Sequence, residues 1–329
     1  MPNERVKNVV KDEVSFCKDI LGKVSRSFAL TIPMLDDKLY KPVMIAYLQD
    51  RLLDNFEDEI EDIDTEKRKC LMDRVVTIFN PENSCPAGAI EEIEKYSRYI
   101  KGSSLRKLTE NTGILYKAYD ILPEDTKEIA YKWLKEMNKG MKKYLNKSIK
   151  NFSDLDEYCY YVAGTVGGFL TELIIHESNI CTVEENKLLA NYRDAGLFLQ
   201  KVNIIRDIKT DIEQRKKNFW PLKQLGIAEN DLLNPLNREK ALQCLNDMIH
   251  DAKTHVAGLV IYMNNLPDCF PGYRKFFAVN NTLGLATLKK MENNPDVFYG
   301  KNEVKITKIK FLQILNSADK YFYKLSQDV

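Results

Sequence analysis

The residues best suited to chemistry are two groups of carboxylates at helical spacing. Asp54, Glu57 and Asp58 stand at positions i, i+3 and i+4, so a helix places all three on one face, and Asp207 and Asp211 stand one turn apart. Like charges at this spacing repel each other, and burying them is costly unless a cation meets them. Carboxylate oxygens suit Mg²⁺, which usually shares its coordination with a phosphate. The two groups therefore predict magnesium ligands and a phosphorylated substrate.

The second group ends a polar stripe on an otherwise apolar segment, residues 196–211. Gln200, Asn203, Asp207 and Asp211 form this stripe. The remaining surface of the segment is largely apolar, formed by Leu197, Val202, Ile204, Ile205 and Ile208. A helix that is apolar on most sides belongs in a core, so we expect the stripe to face an internal cavity. The alternative, a solvated helix edge of mixed charge, stays open for an Asp-x-x-x-Asp pair alone.

The first group lies on a predicted helix, residues 41–61. Two helices that each carry carboxylates on an apolar background are expected to form facing walls of one cavity in a helical bundle. Arg26, Arg51 and Arg206 would supply bidentate contacts to the same anion. One such charge pair contributes about 4 kcal/mol at about 4 Å and an effective dielectric near 20. Arg51 also has the plainer alternative of pairing with a neighbour on its own helix, and that alternative stays open.

Tyr158 begins a stretch that combines three tyrosines with small residues, residues 158–168. Small residues at helical spacing most often allow two helices to pack closely. The functional alternative is that they leave room for a long apolar ligand, with Tyr158 offering a hydroxyl or its π face to a carbocation. Both interpretations stay open at this point.

Composition and charge exclude several classes of protein. The chain has 329 residues, 44% of them hydrophobic, and a formal net charge of +1, so it can bury a large core and carries no basic tail for nucleic acid. Its 7 cysteines include no Cys-x-x-Cys pair, which argues against a disulfide framework or a zinc site and favours a reducing compartment. The histidines (His176, His250 and His255) lie far apart and are expected to be structural or on the surface.

Helical periodicity runs through nearly the whole chain, most clearly over residues 241–263. Breaks rich in Pro and Asn separate the predicted helices, at residues 80–83, 122–125, 234–235, 266–272 and 293–295. No stretch of about 18 apolar residues occurs, so no transmembrane helix is expected. The segment 311–329 is amphipathic and suits another helix or a membrane surface. The sequence therefore predicts one all-α domain spanning residues 1–329.

The order of these motifs resembles that of the squalene synthases, within the squalene/phytoene synthase family. The motifs that carry the resemblance are Ser25-Arg26-Ser27-Phe28, Tyr47-x-x-x-Arg51-x-x-Asp54-x-x-Glu57-Asp58, Tyr158-Cys159-x-Tyr161-Val162-Ala163-Gly164, Gln200-Lys201-x-Asn203-Ile204-Ile205-Arg206-Asp207-x-x-x-Asp211 and Phe219-Trp220-Pro221. The resemblance implies an all-α isoprenoid-synthase bundle around a central cavity. It also implies head-to-head condensation of two farnesyl diphosphates through presqualene diphosphate, followed by reduction with NADPH to squalene.

The resemblance further implies a role for each matching residue. The implied catalytic residues are Tyr158, for cation stabilisation or proton handling, and Tyr47 and Arg51, close to the departing diphosphate. The implied ligands of Mg²⁺ are Asp54, Glu57, Asp58, Asp207 and Asp211. The implied substrate contacts are Arg26, Phe28, Arg51, Gln200 and Arg206. The implied contacts to NADPH are Ser25, Arg26, Asn203 and Lys305.

The same resemblance sets expectations for location and partners. The membrane anchor of eukaryotic relatives has no counterpart here, so we expect a cytoplasmic enzyme, with a peripheral membrane contact as an option for releasing an oily product. The expected partner is a prenyl diphosphate, nucleic acid is not expected, and a monomer is favoured.

Two departures from the family pattern keep other functions open. Asn280-Asn281 stands where the family usually carries Pro-Gln, and Thr307 replaces a common basic residue. Both lie in the part that shapes the second half-reaction, so the first half-reaction is the safer expectation. The alternatives are a synthase that omits the reduction and makes dehydrosqualene, and a terpene cyclase on the same fold. A non-enzymatic helical scaffold with solvated acidic faces is the third.

Overall fold

The computed structural model describes residues 3–25, 27–178 and 180–328, with side chains from Glu13 onward. Helices make up 78% of the structure, and no strand occurs in these described ranges. The predicted all-α class is therefore confirmed. The chain forms two compact units: Met1–Asn146 with Glu172–Glu177, and Lys147–Thr171 with Ser178–Val329.

The first unit is a set of helices joined by short turns. Its α-helices are α1 (Asn3–Val24), α2 (Phe28–Thr31), α3 (Asp37–Asp58), α4 (Thr65–Ile78), α5 (Ala87–Tyr96), α6 (Ser103–Glu110), α7 (Thr112–Asp120) and α8 (Glu124–Tyr144). Short 3₁₀ turns occupy Ile32–Met34 and Ser97–Tyr99, and the end of a later helix groups with this unit.

Helix α3 is the central element of the first unit. It packs against α1, α4, α6, α7 and α8, so most of its surface is buried. Pro42 lies inside α3, at its sixth residue, where proline removes one backbone hydrogen bond of the helix. The buried amide of Asn55 donates to the Leu105 carbonyl at 3.3 Å and to Thr109 Oγ1 at 3.2 Å. These contacts fix one side of α3 against α6 and leave the carboxylate face on another side.

The second unit is built around one long helix. Its elements are α9 (Phe152–Cys159), a π-helical turn (Tyr160–Gly164), α10 (Thr165–Glu177), α11 (Thr182–Thr210), a second π-helical turn (Asp211–Arg215), α12 (Leu222–Leu225), α13 (Glu229–Leu232), a 3₁₀ turn (Pro235–Asn237), α14 (Arg238–Lys253), α15 (Val256–Asn264), α16 (Pro271–Met291), α17 (Asp296–Tyr299), α18 (Lys308–Asn316) and α19 (Ala318–Ser326). Helix α11 packs against α9, α14, α15, α16 and the first π-helical turn.

Small residues let α11 approach the turn that follows α9. A Cβ atom at Gly196 would lie 2.3 Å from the carbonyl oxygen of Ala163, and one at Gly167 would lie 2.3 Å from that of Tyr192. Real Cβ atoms do not come so close, so the two backbones pack at a distance that only glycine permits. In this respect the structure favours the close-packing interpretation of the small residues after Tyr158.

The predicted breaks at 80–83, 234–235 and 293–295 fall between α-helices, while those at 122–125 and 266–272 run into the first turns of α8 and α16. One boundary differs from the prediction. The periodic segment 241–263 is not a single helix but divides into α14 and α15 at Thr254 and His255. Thr254 Oγ1 donates to the Asp251 carbonyl at 2.6 Å and closes the end of α14, which turns the following His255 toward α11.

Two further expectations concern apolar surface. The segment 311–329 forms most of α18 and α19, and α19 packs on α16, with the rings of Phe277 and Phe322 6.1 Å apart. Within the described ranges, one continuous helical stretch, Phe152–Glu177, has the length and hydropathy to cross a membrane. Because 56% of its apolar window is buried inside the protein, it also fits an ordinary core helix.

Candidate active site

In the first unit, α3 brings its three predicted metal ligands together. One carboxylate oxygen from each of Asp54, Glu57 and Asp58 lies within 4.8 Å of the others. Glu57 is buried, and Asp54 is partly exposed. Three hard oxygen donors so close together are the donor set that Mg²⁺ prefers, and their mutual repulsion falls when a cation binds. This carboxylate face of α3 therefore fits a magnesium ion.

Arg51 meets this cluster from one turn earlier on α3. Its Nη1 donates to Asp54 Oδ2, and its Nη2 lies 3.7 Å from Glu59 Oε1. Burial opposes the charge of Arg51, but Asp54, together with Tyr47, Glu59 and Asp58, outweighs burial and raises the pKa of the guanidinium. Arg51 therefore pairs with Asp54 on its own helix, which is the plainer alternative considered for it. The side chain of Asn55 does not take part, since it binds Leu105 and Thr109. The guanidinium of Arg51 therefore neutralises part of the negative charge of this carboxylate cluster.

The side chains before this cluster extend the site along α3. The rings of Phe28 and Tyr47 lie 5.4 Å apart, and the side chains of Ser25 and Tyr47 form a hydrogen bond. Burial raises the pKa of Tyr47, so its phenol stays protonated. Ser25 and Phe28 therefore each contact Tyr47, which stands one turn before Arg51 on α3.

Asp50 belongs to the same face but was not among the predicted site residues. Although part of its surface reaches solvent, its dense surroundings and the nearby Asp54 carboxylate raise its pKa to about 8. The signal was available, since Asp50 stands at i+3 from Tyr47 and i−4 from Asp54. A carboxyl group that keeps its proton near neutral pH can donate a hydrogen bond that an ionised aspartate cannot.

In the second unit, each predicted carboxylate pairs with an arginine, Asp207 on α11 and Asp211 in the second π-helical turn. Arg206 donates from Nε and Nη2 to the two oxygens of Asp207, both at 2.7 Å. Arg215 Nη1 donates to Asp211 Oδ1 at 2.7 Å, and Asp211 is buried. Burial opposes the charge of Arg206, but the hydrogen bonds and charge of Asp207, together with the charge of Glu303, raise the pKa of the guanidinium.

The polar stripe of α11 is only partly enclosed within the second unit. Asn203 is exposed, Gln200 and Asp207 are partly exposed, and Asp211 begins the second π-helical turn. That turn ends at Lys216 in a left-handed conformation with φ of 54°. π-helical turns often mark functional sites, because the extra residue re-aims neighbouring side chains.

Tyr158 is buried at the end of α9, immediately before the first π-helical turn. Its ring stacks on that of Phe219 with centroids 5.0 Å apart. The next residue, Trp220, is fully buried and donates from Nε1 to the Ile204 carbonyl of α11 at 3.2 Å. The Phe-Trp-Pro motif therefore supports the tyrosine with one residue and binds α11 with the next.

The remaining predicted contacts are less constrained. Arg26 lies outside the described residues. Lys305 is exposed and pairs with Glu303. Of the family departures, Thr307 is the N-cap of α18 and accepts a hydrogen bond from the Lys310 N–H at 3.2 Å, which gives this threonine a structural reason.

The other departure places two amides in the core of α16. Asn280 and Asn281 are buried, and their Nδ2 groups donate to the carbonyls of Phe276 and Phe277, each at 2.9 Å. Asn281 Oδ1 and the hydroxyl of the following Thr282 are buried without a hydrogen-bond partner among the described residues. This part of α16 is therefore more polar than a Pro-Gln sequence would make it.

Comparisons with known proteins agree with the motif order. The squalene/phytoene synthase family model matches residues 21–310. Squalene synthase LSS of Botryococcus braunii is 33% identical over 296 residues, covering 87% of this chain and 60% of the relative. Squalene synthase of Schizosaccharomyces pombe is 33% identical over 320 residues, covering 93% and 65%. The chain thus spans less than two thirds of the length of these curated relatives. A solved structure of TcSQS with a bound ligand aligns with a TM-score of 0.82 and 30% identity, covering 96% of this chain and 90% of that one.

Proposed function

Because the chain belongs to the squalene/phytoene synthase family, we propose that it is a Mg²⁺-dependent prenyltransferase that makes squalene. It would join two farnesyl diphosphates head to head and reduce the product with NADPH. The observation that carries the proposal is the three-carboxylate face of α3, with its oxygens within 4.8 Å of one another and Arg51 beside them.

In the proposed first half-reaction, the allylic C–O bond of one substrate breaks and its electron pair leaves with diphosphate. Asp54, Glu57 and Asp58 would hold Mg²⁺ in the first unit, and Asp207 and Asp211 in the second. Bound Mg²⁺ would neutralise the charge that develops on the leaving diphosphate. Arg51 and Arg206, which now bind carboxylates, offer the same guanidinium forks to diphosphate oxygens.

The double bond of the second substrate then attacks the allylic cation, and loss of a proton closes the three-membered ring of presqualene diphosphate. Tyr158 is our candidate for stabilising this cation through its ring or for receiving the proton at its hydroxyl. Its burial and its stacking on Phe219 support this assignment, because a fixed ring shielded from water interacts most strongly with a cation.

In the proposed second half-reaction the remaining diphosphate would leave and the cation would rearrange, and NADPH would supply the hydride that gives squalene. The exposure of the polar side chains of Asn203 and Lys305 supports their assignment as contacts to NADPH. The assignment of Ser25 and Arg26 as contacts to NADPH rests on the motif order.

The test is diphosphate release from farnesyl diphosphate and Mg²⁺. We expect Asp54→Ala and Asp207→Ala each to lower kcat by about 10²-fold or more, because each removes a group that acts on developing charge. Asp73→Ala and Asp319→Ala are matched controls, since these carboxylates also pair with a cation, Lys142 and Arg274 respectively. Release from the wild type with near-normal turnover in Asp54→Ala would show that the metal ligands are misassigned.

A second candidate function follows from the buried amides of α16. Asn280 and Asn281 add polar atoms to a core position where the family carries Pro-Gln, which would suit a different fate for the second cation, such as dehydrosqualene or a cyclic terpene. This alternative predicts a product that forms without NADPH. Squalene as the sole product would reject it.

A further inference from the structure

Lys201 places an ammonium group in the interior of the second unit. Its side chain is 1% exposed, and a buried charge of this kind is strongly unfavourable unless it is paired and hydrogen-bonded. Its Nζ meets Asp156 Oδ1, lies 2.7 Å from Asp251 Oδ2, and lies 2.9 Å from His255 Nε2. Two carboxylates therefore pair with the ammonium, and the imidazole of His255 forms a hydrogen bond with it. The buried charge is therefore matched by its neighbours.

Asp194 sets the state of the histidine in this group. His255 Nδ1 lies 2.8 Å from Asp194 Oδ1, so the carboxylate holds the proton on Nδ1 and leaves Nε2 free to accept from Lys201. Gly258 makes the approach of Asp194 feasible, because a Cβ there would lie 1.9 Å from Asp194 Oδ2. We call Asp156, Asp194, Lys201, Asp251 and His255 the Lys201 network.

The network joins the helices that carry the candidate site residues of the second unit. Lys201 and Asp194 belong to α11, which also carries Gln200, Asn203 and Asp207. Asp156 belongs to α9, two residues before Tyr158, while Asp251 lies near the end of α14 and His255 precedes α15. One ammonium thus links the helix of the tyrosine to the helix of the aspartates.

The position of Tyr158 needs such a link for a structural reason. Helix α9 is short, and the π-helical turn after it interrupts the regular hydrogen-bond pattern of the longer helix. On α9, Asp156 and Tyr158 are separated by about 200° around the axis, since each residue turns the helix by about 100°. Anchoring Asp156 on one side therefore fixes the direction in which Tyr158 points on the other, toward Phe219.

Stability alone does not require this arrangement. Replacing a buried ion pair with well-packed apolar residues is often neutral or stabilising. Burial also raises the pKa of the neighbouring Cys159 thiol, which stays protonated. A polar network in such a place is better explained by orientation than by free energy of folding.

We propose that the Lys201–Asp156 pair of this network positions Tyr158, with Lys201 acting through Asp156 as a positioning residue for the condensation. The inference rests on the proposed function. It adds to that function a group distant from the substrate that controls kcat by holding α9 against α11.

The test compares two isosteric changes at the same ammonium. Asp156→Asn and Asp251→Asn each remove one carboxylate charge from Lys201, but only Asp156 lies on the helix of Tyr158. We expect Asp156→Asn to lower kcat for diphosphate release by about tenfold or more, with KM changed by less than about twofold. We expect Asp251→Asn to keep kcat within about twofold of the wild type. Its melting temperature should fall by as much as that of Asp156→Asn or more, because Asp251 is the more buried of the two carboxylates.

Asp156→Glu is the second variant, because it keeps the charge and should fold, yet it shifts α9 by the length of one methylene. We expect a loss of kcat here too, at a nearly unchanged melting temperature. Equal losses of kcat in Asp156→Asn and Asp251→Asn that follow melting temperature would show a purely structural network. Normal kcat in both Asp156 variants would reject positioning. Absence of release from the wild type would reject the proposed function itself, and this inference with it.

Discussion

At the scale of single residues, the proposed condensation depends most on the hydroxyl and ring of Tyr158. Tyr158→Phe keeps the stacking on Phe219 and removes only the hydroxyl. If that hydroxyl handles the proton, we expect kcat to fall by about 10²-fold or more. Steady-state kinetics of diphosphate release will measure it.

The control for this change is Tyr160→Phe, two residues later in the first π-helical turn. The ring of Tyr160 lies under the guanidinium of Arg193, 4.6 Å from the centroid, and the Phe variant keeps that ring. We expect activity close to the wild type. Wild-type activity in Tyr158→Phe would show that the hydroxyl does not handle the proton and that only the ring of Tyr158 contributes.

The raised pKa of Asp50 makes a prediction about folding. With a pKa of about 8 in the folded protein and an ordinary value of 3.8, folded Asp50 retains a proton that unfolded Asp50 releases between these values. The free energy of unfolding should therefore fall as pH rises from about 4 to about 8, through this residue. Asp50→Asn lacks the effect, so its stability relative to the wild type should increase with pH.

Urea unfolding of both proteins at about pH 5 and pH 8, in buffer with EDTA, measures this difference. Asp73→Asn, an exposed aspartate on α4, controls for general charge effects. The same pH dependence in the wild type and Asp50→Asn would show that Asp50 is ionised throughout.

At the scale of helices, the close approach of α11 to the first π-helical turn is the feature most open to test. Gly196→Ala would place a Cβ atom 2.3 Å from the Ala163 carbonyl oxygen, so the backbones must separate. We expect a loss of about 1–3 kcal/mol in the free energy of unfolding. A melting curve with denaturant titration measures it.

Gly22→Ala is the opposite control. Gly22 lies on α1 with nothing within 4 Å of an added Cβ. Alanine favours helix over glycine by up to about 1 kcal/mol, so stability should stay equal or rise. A Gly196→Ala variant as stable as Gly22→Ala would contradict the packing described for α11.

The helices that could be predicted from sequence are those with a clear apolar period. The segment predicted over 41–61 overlaps α3, which begins at Asp37 and ends at Asp58. The segment 196–211 forms the end of α11 and reaches the π-helical turn at Asp211. Both were recognisable because their apolar and polar positions separate at helical spacing. The break between α14 and α15 was not predictable in this way, since apolar residues continue through it in phase. At the break, Thr254 Oγ1 closes the end of α14, and His255 Nδ1 lies 2.8 Å from Asp194 Oδ1. The second contact joins residues distant in the chain.

The Lys201 network escaped prediction for the same reason, although one sign of it was present. Lys201 stands four residues after Leu197 and four before Ile205, on the apolar side of α11. A lysine there must be buried with acceptors around it. Which acceptors those are depends on α9, α14 and the turn before α15, and no local pattern identifies them.

At the scale of the whole molecule, the all-α class and the family are established. Two other statements stay predictions. One is the single domain over residues 1–329, of which the structure describes two compact units. The other is that the carboxylates of α3 and α11 act on one substrate, which sequence pattern suggests but spacing within each helix cannot prove. The joint loss of activity in Asp54→Ala and Asp207→Ala is the functional check on the second.

The proposed synthesis of squalene is tested most directly by the product formed from farnesyl diphosphate and Mg²⁺, analysed by mass spectrometry with and without NADPH. We expect squalene when NADPH is present and an accumulation of presqualene diphosphate when it is absent, with diphosphate released in both. A cyclic or dehydrosqualene product that is the same with and without NADPH would contradict the proposed reduction. No diphosphate release under either condition would contradict the proposed enzyme altogether.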